Sequence, residues 1–339
     1  MFVYNFRDMR KFILLLVLFL GAGFIYVSLG EIQSSVQTIR QGNFWFVLLA
    51  ILIQGGWFLV CGLTYLSLYR VLGVDGTVAE LSLMSAAANF VNVVAPSAGM
   101  GGIVVFISRA RRSGHSTGKV TIANMLFIFL DYVAFLCVLT VGLIVLSRRN
   151  DLHPTEIAAS AVMFAIATAL GLLLYLGSQS GVALGNALAW MAHLVNRVVG
   201  PILKHNYLSE ARAHKFATEM AADLQGLPEK SHSLLRPFLY ALSNKTLMML
   251  VLVASFLSFK VPFTAGTIIG GFAISYLFLI VSPTPSGIGI VEGIMPLALS
   301  SLRVPWSQAV IITLAYRGIT FWLPLGVGAV AFRMLNRRK

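Results

Sequence analysis

The feature that most constrains this chain is a series of apolar stretches, since a helix of about 20 apolar residues spans the hydrocarbon core of a bilayer. Charged residues make up only 11% of the 339 residues, against about 25% in an ordinary soluble domain. This composition excludes a soluble globular protein and predicts an all-α polytopic membrane protein. The apolar stretches are 12–29, 44–69, 81–108, 120–147, 157–177, 237–259, 263–301 and 309–335.

The third stretch cannot be read as a simple span. Crossing once would place the basic cluster of Arg109, Arg111 and Arg112 outside, although short cytoplasmic loops are the ones enriched in Lys and Arg. Its centre, 95–102, is rich in Pro and Gly, which break helices. Each remaining arm reaches only about 20 Å, short of the roughly 30 Å core. We predict a re-entrant hairpin over 81–108 that enters from the cytoplasm.

A second hairpin is predicted over 263–301, broken at 282–289 and entering from the outside. The topology then has six full spans and cytoplasmic N- and C-termini. It places 18 of the 25 Lys and Arg residues inside and five outside, and Lys245 and Arg317 fall within spans. The net charge of +13 is thus mostly a topology signal, and nucleic-acid binding is not expected.

The two breaks resemble each other in sequence. Opposite entry combined with similar sequence is typical of inverted-repeat transporters, whose substrate sites lie near the bilayer midplane. The matching positions are Pro96, Ser97, Gly99 and Gly101 in the first break and Pro285, Ser286, Gly287 and Gly289 in the second.

We interpret 1–339 as one membrane domain with a cytoplasmic segment at 178–236. Within it, 182–203 is apolar but carries polar residues, as in a helix lying among lipid headgroups, and 210–225 is typical of an amphipathic helix in solvent. Anionic lipid headgroups at the cytoplasmic face are the partners expected for this basic segment.

Four ionisable residues, Asp131, Lys245, Glu292 and Arg317, fall within the apolar stretches. Such residues are costly in a membrane and are by default functional candidates. A guanidinium suits phosphate recognition, and a neighbouring carboxylate orients it or holds an amine or a proton. Structural alternatives stay open: a Glu292–Arg317 pair that only pins the hairpin, an Asp131 bonded to backbone groups freed by the first hairpin, and a Lys245 that snorkels to the interface.

The breaks themselves are candidate sites. A broken helix exposes backbone donors at membrane depth, and helix N-termini favour anions such as a phosphodiester. Hairpins that merely plug the fold are the alternative. Further hydrogen bonds are expected from Asn89, Asn92, Ser97 and Ser286.

Two C-terminal motifs carry a resemblance. Residues 282–293, SPTPSGIGIVEG, and 316–324, YRGITFWLP, resemble signatures of the lysylphosphatidylglycerol synthase transmembrane family. The resemblance implies a flippase-like fold with two re-entrant hairpins. It marks Pro283, Gly287, Gly289, Glu292 and Arg317 as family-motif positions, and Tyr316 opens the second motif. The sequence ends about four residues after the last span, so we expect no aminoacyl transferase domain and no enzymatic activity.

The function predicted is a lipid flippase or translocase for a phospholipid or polyprenyl-linked lipid in the cytoplasmic (inner) membrane of a prokaryote. A membrane enzyme of lipid-linked phosphate or sugar metabolism and an ion-coupled transporter of small solutes are the alternatives. No cofactor or metal is expected, since no ligand cluster or catalytic constellation is present in the sequence. Assembly into a homo-oligomer is left open.

Overall fold

The computed structural model describes residues 33–94, 101–148, 154–203, 217, 218, 221, 233–282 and 284–337, and every regular element in this part of the chain is helical. Residues 33–41 are helical, a 3₁₀ turn spans Pro285–Gly287, and a π-helical turn spans Gly318–Trp322. The α-helices are α1 (Phe44–Leu72), α2 (Val78–Val94), α3 (Gly101–Ser113), α4 (Thr117–Arg148), α5 (Pro154–Gln179), α6 (Gly181–Leu203), α7 (Leu235–Ser258), α8 (Ala265–Val281), α9 (Ile290–Ser301), α10 (Trp306–Arg317) and α11 (Leu323–Arg337).

Five segments in the described part are long and apolar enough to cross a membrane: α1, α4, α5, α7 and the continuous stretch Trp306–Arg337. They match five of the six predicted spans, and the first, 12–29, lies outside the described residues. Large apolar side chains face outward on these helices, including Leu52, Phe164 and Tyr175, each more than 60% exposed. Lipid is the solvent that suits such a surface, and the chain is a multi-pass membrane protein.

Two pairs of shorter helices occupy the predicted hairpin positions. In the first helix pair, α2 and α3 run antiparallel: Arg109 Nε donates to Glu80 Oε1 at 2.6 Å near one end, and Gly102 packs on Ala88 near the other. The helices extend beyond the predicted bounds of 81–108, because the prediction followed apolar residues and the helices continue into their polar ends.

The second helix pair consists of α8 and α9. These helices also run antiparallel, since Gly271 faces Leu299 and Gly287 lies against Leu279. They have 17 and 12 residues and are therefore about 26 and 18 Å long.

The predicted interfacial segment 182–203 is helical, as α6. Its position relative to a membrane stays a prediction. Most of 210–225 lies outside the described residues.

The last helix packs tightly on the first helix pair at Gly328. A Cβ atom at this position would lie 2.4 Å from the Ala86 carbonyl oxygen and 2.8 Å from Phe90 Cβ. Small residues allow such close approach between membrane helices, which associate largely through packing. Gly328 therefore fixes the position of α11 against α2.

We expect Gly328→Ala to destabilise the protein by about 1–3 kcal/mol, because the added methyl meets a backbone oxygen that cannot move aside. The matched control is Gly326→Ala on the same helix, where nothing lies within 4 Å of an added Cβ. That substitution should stabilise α11 by up to about 1 kcal/mol. Thermal unfolding in one detergent measures both, and equal stability of the two variants would contradict the close approach.

Candidate functional site

A buried ion pair joins the last span to the second helix pair. Arg317 ends α10 and is 2% exposed, and Glu292 lies in the first turn of α9. Arg317 Nε donates to Glu292 Oε1, and Arg317 Nη2 donates to the Ser286 carbonyl at 3.3 Å. The guanidinium carbon also lies 4.3 Å from the centre of the Phe321 ring. Burial of the guanidinium is tolerated because the carboxylate neutralises it and its N–H groups find acceptors.

The break between α8 and α9 is shaped by left-handed backbone. Ser286, Gly287 and Gly289 have φ angles of 51°, 71° and 78°. A Cβ atom at Gly287 would lie 2.5 Å from Val291 Cγ2, so the turn requires a glycine there. The Gly289 N–H donates to Glu292 Oε2 at 2.8 Å. One carboxylate therefore holds both the broken backbone and the guanidinium.

A second charged cluster joins three helices. Lys245 of α7 is 1% exposed, and its Nζ donates to Asp131 Oδ1 of α4 and to the Tyr276 hydroxyl of α8, each at 2.6 Å. The Tyr276 hydroxyl in turn donates to Asp131 Oδ2 at 3.3 Å. The triangle balances one positive and one negative charge and satisfies the hydroxyl between them.

A cavity of about 120 Å³, hereafter the central cavity, lies between the two clusters. Tyr276 belongs to one cluster and Arg317 to the other, and both form its wall. The volume holds several water molecules or one small polar group. The lining residues are Gln54, Trp57, Asn89, Met248, Ser275, Tyr276, Leu279, Ser286, Val291, Tyr316, Arg317, Thr320 and Phe321.

Gln54 is the polar group on this wall that lacks a partner. It is 1% exposed, and its Oε1 accepts no hydrogen bond within the described structure. A buried acceptor left unpaired costs about 1–3 kcal/mol. The central cavity thus combines a guanidinium, hydroxyls and amides, which suits a phosphate-bearing group. Within the described ranges, no three His, Cys, Asp or Glu residues are placed to hold a metal ion.

The profile of the lysylphosphatidylglycerol synthase TM region matches residues 12–328, nearly the whole chain. The chain belongs to this family. The match confirms the resemblance predicted from the C-terminal motifs. The matched range includes the residues of both buried clusters. A search of curated proteins found no match.

Of the family-motif positions, Gly287, Gly289, Glu292 and Arg317 meet around the second break. Tyr316 is buried and lies on the wall of the central cavity. Their functional role stays a prediction. Pro283 lies outside the described residues.

The remaining predicted positions are more scattered. Ser286 lines the central cavity, and Pro285 begins the 3₁₀ turn. Asn92 Oδ1 accepts from the Gly102 N–H at 2.6 Å, and Gly101 beside it is the first residue of α3. Asn92 therefore holds the start of that helix. It is not among the residues that line the central cavity. Pro96, Ser97 and Gly99 lie outside the described residues.

One of the structural alternatives is wrong. Lys245 does not snorkel, because its ammonium is buried against Asp131 and Tyr276. Asp131 accepts hydrogen bonds from these two side chains, and most of the backbone of the first break, to which it was expected to bond, lies outside the described residues. Asp131 and Arg317 therefore belong to separate clusters.

Sequence reasoning missed Tyr276 and Gln54. Gln54 had a usable signal, since an amide in the middle of an apolar span needs a partner or a cavity. Tyr276 had none, because a tyrosine is ordinary in an apolar stretch and only packing brings it to Lys245 and Asp131.

Proposed function

We propose that this protein is a lipid translocase, which moves the polar headgroup of a phospholipid or polyprenyl-linked lipid across the cytoplasmic membrane of a prokaryote while the tails stay in the bilayer. The observation that carries the proposal is the central cavity, which lies between two buried ion pairs and has Arg317 of one pair on its wall. Membership of the synthase TM region family supports it.

The depth of the charges supports a site near the midplane. Arg317, Asp131 and Lys245 lie about 17, 21 and 15 Å from the first residues of α10, α4 and α7, at 1.5 Å per residue. These distances fall near the middle of a core about 30 Å thick. Charges at this depth are costly, and in membrane proteins they mark substrate and ion pathways.

The lengths of the paired helices support re-entrant hairpins. The four helices have 17, 13, 17 and 12 residues, so none exceeds about 26 Å. Gly287 and Ile288 of the second break are buried, and Ser286 lines the central cavity. Irregular backbone at membrane depth is tolerated in that setting.

The pattern of contacts supports an inverted repeat. The first arm of each pair packs on the span that follows the other pair: α2 contacts α11, and α8 contacts α4. The spans that precede the two pairs, α1 and α7, pack on each other. If the half α1–α4 is exchanged with the half α7–α11, the same set of contacts results. A pseudo-two-fold axis that relates the two halves has this effect.

In this mechanism Arg317 binds the headgroup phosphate and Glu292 holds the guanidinium in position. Asp131 and Glu292 hold a cationic part of the headgroup or a coupled proton. The small volume of the central cavity admits only the polar end of a lipid, so the tails remain outside.

Gln54→Leu tests the proposal, because it separates stability from transport. The substitution removes an unpaired buried acceptor, so thermal stability should be maintained or rise. Movement of a fluorescent phosphatidylglycerol in proteoliposomes, measured by chemical quenching of the outer leaflet, should slow several-fold, because a headgroup loses a hydrogen-bond partner.

The matched control is Gln308→Leu. Gln308 Oε1 is also buried without a partner within the described part, but Gln308 does not line the central cavity. This variant should keep the wild-type transport rate. Wild-type protein that moves the lipid no faster than protein-free vesicles would refute the proposed function, and a Gln54→Leu variant with the wild-type rate would remove Gln54 from the path.

A further inference from the structure

A larger cavity of about 540 Å³ lies at the open end of the second helix pair, away from the break. We name it the end cavity. Its wall includes two guanidinium groups and two hydroxyls, from Arg148, Arg303, Thr264 and Thr267. Helix α8 begins beside it at Ala265, and its first turn is closed by a capping box, in which Thr264 Oγ1 accepts from the Thr267 N–H and Thr267 Oγ1 accepts from the Thr264 N–H.

The end cavity and the basic cluster of the first helix pair lie at opposite ends of the fold. Arg148 is the last residue of α4, about 46 Å along the helix from Thr117. Arg109 and Arg112 precede Thr117 closely and line a cavity of about 280 Å³ along α3 and the end of α11. Each helix pair therefore has an arginine-lined cavity beside it.

Both cations on the wall of the end cavity lie at the surface. Arg148 and Arg303 are exposed and form no ion pair with the described residues. No carboxylate is found among the described residues that line the cavity. Two arginines facing one cavity suit a group with phosphate oxygens.

Arg303 lies in a helix-ending turn that glycine also fits. Arg303 has a φ of 69° just after α9, and its N–H donates to the Ser300 carbonyl while the Val304 N–H donates to that of Leu299. Glycine is the usual residue in this helix-ending motif, because a side chain there costs about 1 kcal/mol.

We infer that the end cavity is a second anion site, which takes a phosphate group on the face opposite to Arg109 and Arg112. The phosphate belongs to a lipid headgroup that leaves or approaches the central cavity, and in this respect the inference rests on the proposed function. The volume of about 540 Å³ accommodates a whole headgroup, and the smaller central cavity, of about 120 Å³, accommodates its phosphate.

Arg303→Gly tests the inference without a folding penalty, since it removes the guanidinium and relieves the backbone at once. Native mass spectrometry of the full chain in detergent counts the phosphatidylglycerol molecules retained. We expect the variant to lose one tightly bound lipid and to keep or raise its melting temperature.

The matched control is Lys260→Gly. Lys260 has a φ of 54° after α7, and it is a cation in the same kind of helix-ending turn but does not line the end cavity. It should keep the wild-type lipid count. The same count in Arg303→Gly as in wild type would overturn the inference.

Two further arms identify the source of the phosphate. Loss of the bound lipid in Arg303→Gly supports a lipid headgroup, and displacement of that lipid from the wild type by millimolar inorganic phosphate supports a free-anion site. The number of bound lipids is measured at equilibrium, so it tests the end cavity even where the transport assay shows no lipid movement. Arg303-dependent binding without transport would refute the proposed function alone.

Discussion

Glu292→Gln should destabilise the protein by about 3–5 kcal/mol and abolish lipid translocation. The substitution leaves the Arg317 guanidinium, 2% exposed, without a counter-charge, and breaking one partner of a buried pair carries a cost of this size. The glutamine still offers an oxygen to the Gly289 N–H, so the start of α9 keeps its hydrogen bond. The loss of stability is therefore due to the broken ion pair.

The double variant Glu292→Gln/Arg317→Met separates the structural from the functional role. With both charges removed, no uncompensated charge stays buried, and thermal unfolding should return most of the way to wild type. Translocation should not return, because the phosphate-binding guanidinium is absent. A stable double variant that moves phosphatidylglycerol at the wild-type rate would show that the pair only pins the hairpin.

Asp131→Asn should be the second severe change, with a loss of about 3–5 kcal/mol. It leaves the Lys245 ammonium, 1% exposed, facing only the Tyr276 hydroxyl and ring. Asp131→Asn/Lys245→Met should recover most of this stability, because both charges are then absent. Thermal unfolding of the single and double variants in the same detergent gives the coupling energy directly.

Tyr276→Phe serves as the graded control for this cluster. It keeps the ring and the Asp131–Lys245 contact and removes only the hydroxyl, so the expected loss is about 1.5–3 kcal/mol, as for hydrogen bonds to charged groups. If Tyr276→Phe lost as much stability as Asp131→Asn, the ion pair would not be the main contribution of this cluster to the free energy of unfolding.

The helices were largely predictable from sequence. Apolar length alone located five of the spans, and helix-breaking Pro and Gly located the second break, because these signals are local. The bounds of the first helix pair were less accurate, since the polar residues Glu80 and Arg109 extend the helices and hold their ends together across the pair.

The charged residues were predictable individually but not as pairs. Each of Asp131, Lys245, Glu292 and Arg317 was flagged because a charge at membrane depth is costly wherever it pairs. Lys245 and Asp131 are 114 residues apart in the chain, and no local pattern connects them. The role of Tyr276, a neutral residue on the wall of the central cavity, follows only from the side chains that packing brings to it.

The sequence by itself determined three things: that this chain is a membrane protein, at which residues its helices break, and which charged residues lie within its apolar segments. Composition and helix-breaking residues determine these because they act over one or two turns. Only the tertiary structure decided that these charges form two separate pairs with a cavity between them, and that Arg148 and Arg303 share another cavity. Those arrangements depend on which helices pack together, and packing is settled by contacts between residues far apart in the chain.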